Sequence, residues 1–330
     1  MKKVLFATTA LVATAGVAAA DVTFGGYGRF GILYLEDAAG NDSTDITSRL
    51  RLQIDMTAES DAGVVFGARV RIQQNNSDTQ QSINVGPDGI AGTADDVVTT
   101  SGPAGTGFNG ARFFARSGGL EVGVGNIYGA LEYMPGQYPI DLGLTGLGYD
   151  YTVYDGNADL YSSSGDGAAG QNGVEVLYSA GDLSMHLSYS EASGTFTNNG
   201  VLVSGDRDRL AGYVAYNYMG YTFALGGQNS DDDSDTEVSA SVSGTFGPAD
   251  VTFAYADNGD QGDAFVLAGR FDVGAATDVE VYVVDRDSRP DTGYGIDFNH
   301  DLGGGTSLRG GLAKLSSGAK RADLGVRFDF

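Results

Sequence analysis

Cysteine and tryptophan are absent from the 330 residues, and histidine occurs only as His186 and His300. Without thiols the fold owes nothing to disulfides, and two histidines leave too few ligands for a zinc centre. Lysine is confined to Lys2, Lys3, Lys314 and Lys320. With 19 basic against 43 acidic residues the net charge is −24, which argues against nucleic acid as a partner, because phosphate recognition needs a basic surface. Past the N terminus no apolar run approaches the roughly 18 residues of a spanning helix, so a helical membrane protein is excluded. A β-barrel is not, since its strands need be apolar on one face only. No G-x-S-x-G marks a hydrolase nucleophile. The segment Gly123-Val124-Gly125-Asn126-Ile127-Tyr128-Gly129 lacks the lysine and the helix of a phosphate loop. An enzyme is not expected.

What the chain does have begins with Met1-Lys2-Lys3, an apolar run from Val4 to Val17, and Ala18-Ala19-Ala20 before Asp21. This is the pattern of a secretory signal peptide, so residues 1–20 are expected to be removed and residues 21–330 to form a single domain. Losing Lys2 and Lys3 leaves 17 basic against 43 acidic residues, a net charge near −26.

Period-two alternation then dominates. Val22, Phe24, Phe30, Ile32 and Tyr34 share one face, with Thr23, Tyr27 and Arg29 on the other, and Gly26 and Gly28 allow a bend in the apolar row. Leu50, Leu52, Ile54 and Met56 alternate with Arg49, Arg51, Gln53 and Asp55. Asp61-Ala62-Gly63 turns the chain into Val64, Phe66, Ala68, Val70 and Ile72, which alternate with Arg69, Arg71 and Gln73. Six further short turns follow, at 117–119, 180–182, 219–220, 247–250, 274–277 and 302–306. Seven hairpins plus one strand at each end make about sixteen strands. The opposite connections are longer and more polar: Glu36–Thr47, Gln74–Gly110, Ile127–Asn172, Ala192–Asp206, Ser230–Asp235, Asp257–Gly262, Arg286–Asp291 and Ser316–Lys320. Short turns at one rim and long loops at the other predict an all-β, transmembrane, antiparallel up-and-down β-barrel. The 18 Tyr and 16 Phe, among them Tyr34, Tyr178, Tyr189, Tyr218, Tyr221, Phe246 and Phe253, fit interfacial girdles, although strand propensity also favours them. At the C terminus Leu324, Val326, Phe328 and Phe330 alternate with Asp323, Arg327 and Asp329, a strand expected to pair with Val22–Tyr34.

Parity places Arg29, Arg49, Arg51, Arg69 and Arg71 on the lumenal face, joined by Arg112 and Arg116 if Phe114 also points inward. These charges repel one another and need water or an acidic surface opposite. The third long loop, Ile127–Asn172, carries Glu132, Asp141, Asp150, Asp155, Asp159 and Asp166 and no basic residue. Its Tyr128, Leu131, Tyr133, Met134, Tyr138, Leu142 and Leu144 suit packing against the inner wall, which would aim the carboxylates at the arginines across an aqueous slot. A solvated surface loop is the alternative. His186, between Met185 and Leu187, is expected to face the lumen in a structural role.

The segments "DVTFGGYGRFGILYLED" and "HDLGGGTSLRGGLA" and the ending "ADLGVRFDF" resemble the general-diffusion porins of Gram-negative bacteria, Rhodobacter-type in particular. The resemblance implies sixteen strands, a homotrimer, a third loop folded into the pore and a constriction of basic wall residues facing acidic loop residues. It also implies that Phe330 is read by the outer-membrane assembly machinery, with lipid and lipopolysaccharide around the wall. The expected function is passive diffusion of small hydrophilic solutes and ions, weakly cation-preferring on account of the net charge. A sugar- or anion-selective porin and a secreted calcium-binding adhesin are the alternatives. No cofactor is expected beyond calcium at Asp88, Asp95 and Asp96, whose spacing with glycine suits hard oxygen ligands but lacks the EF-hand pattern; an exposed acidic loop explains it as well.

Overall fold

A computed structural model describes residues 20–76, 80–84, 97–101, 108–154, 172–198, 201–231 and 236–330. Its strands are, in chain order, β1 (Ala20–Glu36), β2 (Asp42–Glu59), β3 (Val65–Asn76), β4 (Gln80–Asn84), β5 (Val97–Ser101) and β6 (Arg112–Ser117). Next come β7 (Leu120–Asn126), β8 (Asn172–Ala180), β9 (Leu183–Asn198), β10 (Val201–Tyr218), β11 (Tyr221–Ser230) and β12 (Glu237–Phe246). The last are β13 (Ala249–Asp257), β14 (Asp263–Gly274), β15 (Thr277–Arg286), β16 (Gly293–Gly303), β17 (Thr306–Lys314) and β18 (Lys320–Asp329). Sixteen of these close into one antiparallel barrel in which β3 pairs with β6 and β18 returns to β1; β4 and β5 form a separate two-stranded sheet.

Closure pairs Arg29 with Arg327 and Ile32 with Leu324, and Gly26 and Phe330 exchange both backbone hydrogen bonds at 3.0 Å. Gly26 and Gly28 do more than permit a bend. A Cβ on Gly28 would overlap the Phe328 ring, so this glycine seats an aromatic ring across the seam, while one on Gly26 would overlap the Arg51 carbonyl oxygen of β2, so that glycine admits the neighbouring backbone. Phe24, Phe30, Ile32, Phe66, Phe113 and Leu324 are exposed on the outer wall, the apolar surface that lipid covers. Phe253 lies in the middle of β13 rather than at a strand end.

Three connections differ from the sequence expectation. The first is only five residues long, because the Asp37 carboxylate accepts from the amides of Ala39 (2.9 Å) and Asn41 (2.8 Å), and Asp42–Thr47 continue β2 against β1. Residues 192–198 and 201–207 likewise pair as strand extensions of β9 and β10 rather than forming a loop. The connection after β3 contains the β4–β5 hairpin. Polar strand sequence beyond the bilayer has no apolar face to betray it.

The connection after β7, described as far as Tyr154, lies inside the barrel. Small residues on the inner wall make room for it. Ala254 and Ala256 of β13, Ala264 and Ala268 of β14 and Ala313 of β17 share a buried cluster with Ile140, Leu142, Leu147, Tyr151 and Val153 of the loop. Inward glycines serve as sockets. A Cβ on Gly325 would stand 2.5 Å from Leu144 Cδ2, one on Gly226 2.7 Å from Met134 Sδ, and one on Gly311 2.9 Å from Leu147 Cδ1.

Wall carboxylates capture the loop's main chain. The Asp141 amide donates to Glu280 Oε2 at 3.0 Å, the Gly143 amide to Asp297, and the Leu144 and Thr145 amides to the two oxygens of Asp323 at 3.0 and 2.8 Å. At the loop's root the Tyr128 amide donates to Glu175 Oε2 (3.0 Å) and the Ala130 amide to Ser188 Oγ (2.9 Å). Further on, Arg286 of β15 donates to the carbonyls of Thr152 and Val153. Buried peptide groups need such partners, so these contacts position the loop as firmly as its apolar residues do.

Gly311→Val should unseat Leu147, whose Cδ1 lies where the new side chain would go, and Asp323→Ala should strip two loop amides of their acceptor at about 1–3 kcal/mol each. In either variant, cleavage between residues 141 and 147 by added protease should rise several-fold while the folded barrel keeps its gel mobility in unheated detergent. Cleavage at the wild-type rate in both would show that these contacts do not hold the loop.

Candidate functional site

The inner face of β2 reads Arg49, Arg51, Gln53, Asp55, and that of β3 reads Arg69, Arg71, Gln73, Asn75. The tight turn between these strands sets a register in which Arg49 meets Asn75, Arg51 meets Gln73, Gln53 meets Arg71 and Asp55 meets Arg69. Every arginine therefore faces an acceptor. Arg49 Nε donates to Asn75 Oδ1, Arg51 Nε to Gln73 Oε1 at 2.7 Å, Arg71 Nε to Gln53 Oε1 at 2.8 Å, and Arg69 Nε to Asp55 Oδ1 at 2.6 Å. Three neutral amides and one carboxylate thus order four guanidinium groups, which keep their positive charge.

Along the seam the arginines lie side by side. Arg29 pairs in register with both Arg49 and Arg327, a placement that is unfavourable for like charges. Each is relieved separately. Arg29 donates to the Leu144 carbonyl of the loop, Arg49 Nη1 to Tyr27 Oη at 3.2 Å, and Arg327 to Asp329 Oδ1 at 3.0 Å. The Tyr27 ring lies beneath two guanidinium carbons, Arg327 Cζ at 4.3 Å and Arg51 Cζ at 5.2 Å from its centroid.

Two expected members of the basic wall are elsewhere. Phe114 does point inward, with Arg112 and Arg116 over its ring, but Arg112 is buried beneath the loop's root. It binds Glu175 and Glu121 and lies 4.2 Å from the Tyr128 ring centroid. Its role is to fasten the loop. Arg116 stands at the short-turn rim next to Ser117, half-exposed and 4.0 Å from Glu121. His186 is buried against Glu175 Oε2 at 3.0 Å, with the rings of Tyr133 and Tyr213 edge-on to it, an inward and structural position.

Among the loop carboxylates, Asp141 reaches the lumen and bridges Arg309 of β17 (2.8 Å) and Arg327 of β18 (3.2 Å). Glu132 is half-exposed at the loop's surface. Asp150 turns away from the arginines of β1–β3. It accepts from Ser316 N and Oγ, both at 2.7 Å, because buried main chain at the β17–β18 connection needs an acceptor there. Asp155, Asp159 and Asp166 lie outside the described residues, as do Asp88, Asp95 and Asp96. Arg309 escaped the sequence reading, although its alternation with Leu308 and Gly310 places it on the inner face.

Towards the arginines of β1–β3 the described loop presents tyrosine. Tyr133, Tyr138 and Tyr149 are exposed, whereas Tyr128, Tyr151 and Tyr154 are buried. Arg69 donates to the Tyr128 hydroxyl and holds its Cζ 5.8 Å from the centre of that ring. Enclosure of the ring pushes the Tyr138 phenol up to about 12, outweighing its hydrogen bond with Tyr154, and pushes Tyr133 up as well. Both therefore stay neutral far above physiological pH.

The chain is similar to known porins in sequence and in fold. The family model for Gram-negative porins matches residues 7–320. A porin of Fuscovulum blasticum is 30% identical over 322 residues, covering 94% of this chain and 100% of that protein. A porin of Rhodobacter capsulatus is 28% identical with the same coverage. Solved structures of engineered Rhodopseudomonas blastica porins superpose with TM-scores of 0.71 and 0.73 at 26% identity, again over 94% of this chain and all of theirs. The chain belongs to the Gram-negative porin family: it is an outer-membrane β-barrel through which small hydrophilic solutes diffuse passively.

Proposed function

We propose that permeating solutes pass through the slot between the inward loop and the arginines of β1–β3, and that the pore weakly prefers cations. The observation that supports the slot is the loop's attachment round the wall from β8 to β18, reaching Arg29 of β1 through the Leu144 carbonyl, while Arg49 and Arg51 of β2 bond to wall side chains. The cation preference rests on the net charge near −26 that 17 basic and 43 acidic residues leave once Lys2 and Lys3 are removed, which draws cations to the mouth while the ladder opposes them locally. No cofactor takes part in this reading. Residues 1–20 act as the export signal, the barrel assembles as a homotrimer amid lipid and lipopolysaccharide, and Phe330 serves recognition by the assembly machinery. These last points are supported by the family likeness and by the exposed apolar belt.

In a planar bilayer under a potassium chloride gradient, the reversal potential should carry the sign of cation selectivity. A potential of the opposite sign overturns the preference. A charge about 4 Å from a permeating ion is worth about 1 kcal/mol even in water-like surroundings. Replacing Arg49, Arg51, Arg69 and Arg71 together by glutamine should therefore raise the cation-to-anion permeability ratio several-fold; an unchanged ratio would remove them from the permeation path. Chemical crosslinking in detergent should give a ladder ending at three chains, whereas a monomer band alone argues against the trimer.

A further inference from the structure

The inward loop displays more aromatic surface than is needed to hold it in place. Its anchoring rings are buried, yet Tyr133, Tyr138 and Tyr149 keep 42%, 41% and 45% of their surface exposed within an aqueous passage. The exposed rings are braced by others. Tyr133 stacks on Tyr128 with centroids 4.3 Å apart, Tyr138 meets Tyr154 edge-on at 6.0 Å and Tyr149 at 6.5 Å, and Tyr149 leans on Tyr151 at 5.9 Å. Their faces are thereby fixed in orientation before any solute arrives.

The backbone that presents Tyr149 is strained. Gly146, Leu147, Gly148 and Tyr149 have φ of 82°, 41°, 99° and 56°, four consecutive residues in the left-handed region. Leucine and tyrosine occupy that region at a steric cost, and such strain gathers where a side chain must be held in one place. Gly146 lets the ring lie close to the chain, since a Cβ there would stand 2.6 Å from Tyr149 Cζ.

Polar groups of both kinds accompany the rings. Arg49 and Arg51 spend their Nε atoms on Asn75 and Gln73 and have terminal N–H donors to spare. Asp141, its side chain 59% exposed, offers acceptor oxygens at the foot of Arg309 and Arg327. A solute matched to this set has an apolar C–H face to lay on an electron-rich ring and a rim of hydroxyls that both accept and donate. Cyclic polyols have that form; open-chain polyols of equal size have the hydroxyls without the face.

We infer that Tyr133, Tyr138 and Tyr149 form a weak binding subsite for pyranose sugars within the passage. The inference rests on the reading of the slot as the permeation path. A fast, shallow site of this kind raises the local concentration of sugar within the slot without trapping it, so sugar flux saturates while salt flux does not.

Single channels in a planar bilayer test this, with the trisaccharide maltotriose as probe and a short polyethylene glycol of equal hydrodynamic size as control. Maltotriose should produce concentration-dependent, saturable current noise at least several-fold above that of the glycol. Tyr149→Ala and Tyr138→Ala should each lower the apparent sugar affinity several-fold, whereas Tyr149→Phe, which keeps the ring, should retain it. Equal noise from sugar and glycol in the wild type, or sugar affinity unchanged in both alanine variants, overturns the subsite. The salt current of the same channels separates the two readings. A protein that inserts but carries no salt current refutes the pore itself, while a salt current free of sugar noise refutes only the subsite.

Discussion

A peptide group in hydrocarbon has no water to bond with, and this constraint shapes everything else in the molecule. It forces sixteen strands into a closed ring and brings the last residue to pair with Gly26 near the start of the barrel. It also leaves no freedom in strand register. Once β1, β2, β3 and β18 are locked edge to edge, the arginines on their inner faces stand in rows whether or not their charges favour it. The molecule then has to accommodate that crowding.

It does so mainly with neutral acceptors. Gln53, Gln73 and Asn75 hold guanidinium groups without cancelling their charge, so the ladder stays both ordered and positive. A wall of carboxylates would have ordered it equally well and neutralised it. Carboxylates are used instead for the loop, where Glu175, Glu280, Asp297 and Asp323 gather main-chain amides. These wall carboxylates thus serve the fold, whereas Arg49 and Arg51, held by neutral amides, keep donors and charge for solutes.

Alternation is a local property, and what depended on it was legible. The outward rows, the inward Arg29, Arg49, Arg51, Arg69 and Arg71, the tight turns and the strand number all follow from period two and a few glycines. Even the ladder was latent in the chain, because Arg-x-Arg-x-Gln-x-Asp folded back on Arg-x-Arg-x-Gln-x-Asn needs only the turn to supply the register. Polar strand extensions were not legible. Residues 42–47, 192–198 and 201–207 lie where a loop was expected and become strands because a neighbouring strand is there to pair with.

The loop marks the boundary between the two kinds of information. Its length and its apolar residues pointed inward from the sequence alone, since such surface must be covered somewhere. Which of its charges would meet the arginines could not be read, because that depends on contacts separated by more than a hundred positions. Asp150 goes to Ser316, Asp141 to Arg309 and Arg327, and Arg112 disappears beneath Tyr128. The sequence by itself determined a barrel with a positive inner wall, through patterns a few residues long. Only the tertiary structure decided that tyrosine would face the arginines of β1–β3, because a buried amide takes the nearest acceptor and leaves the exposed surface to whatever side chains remain.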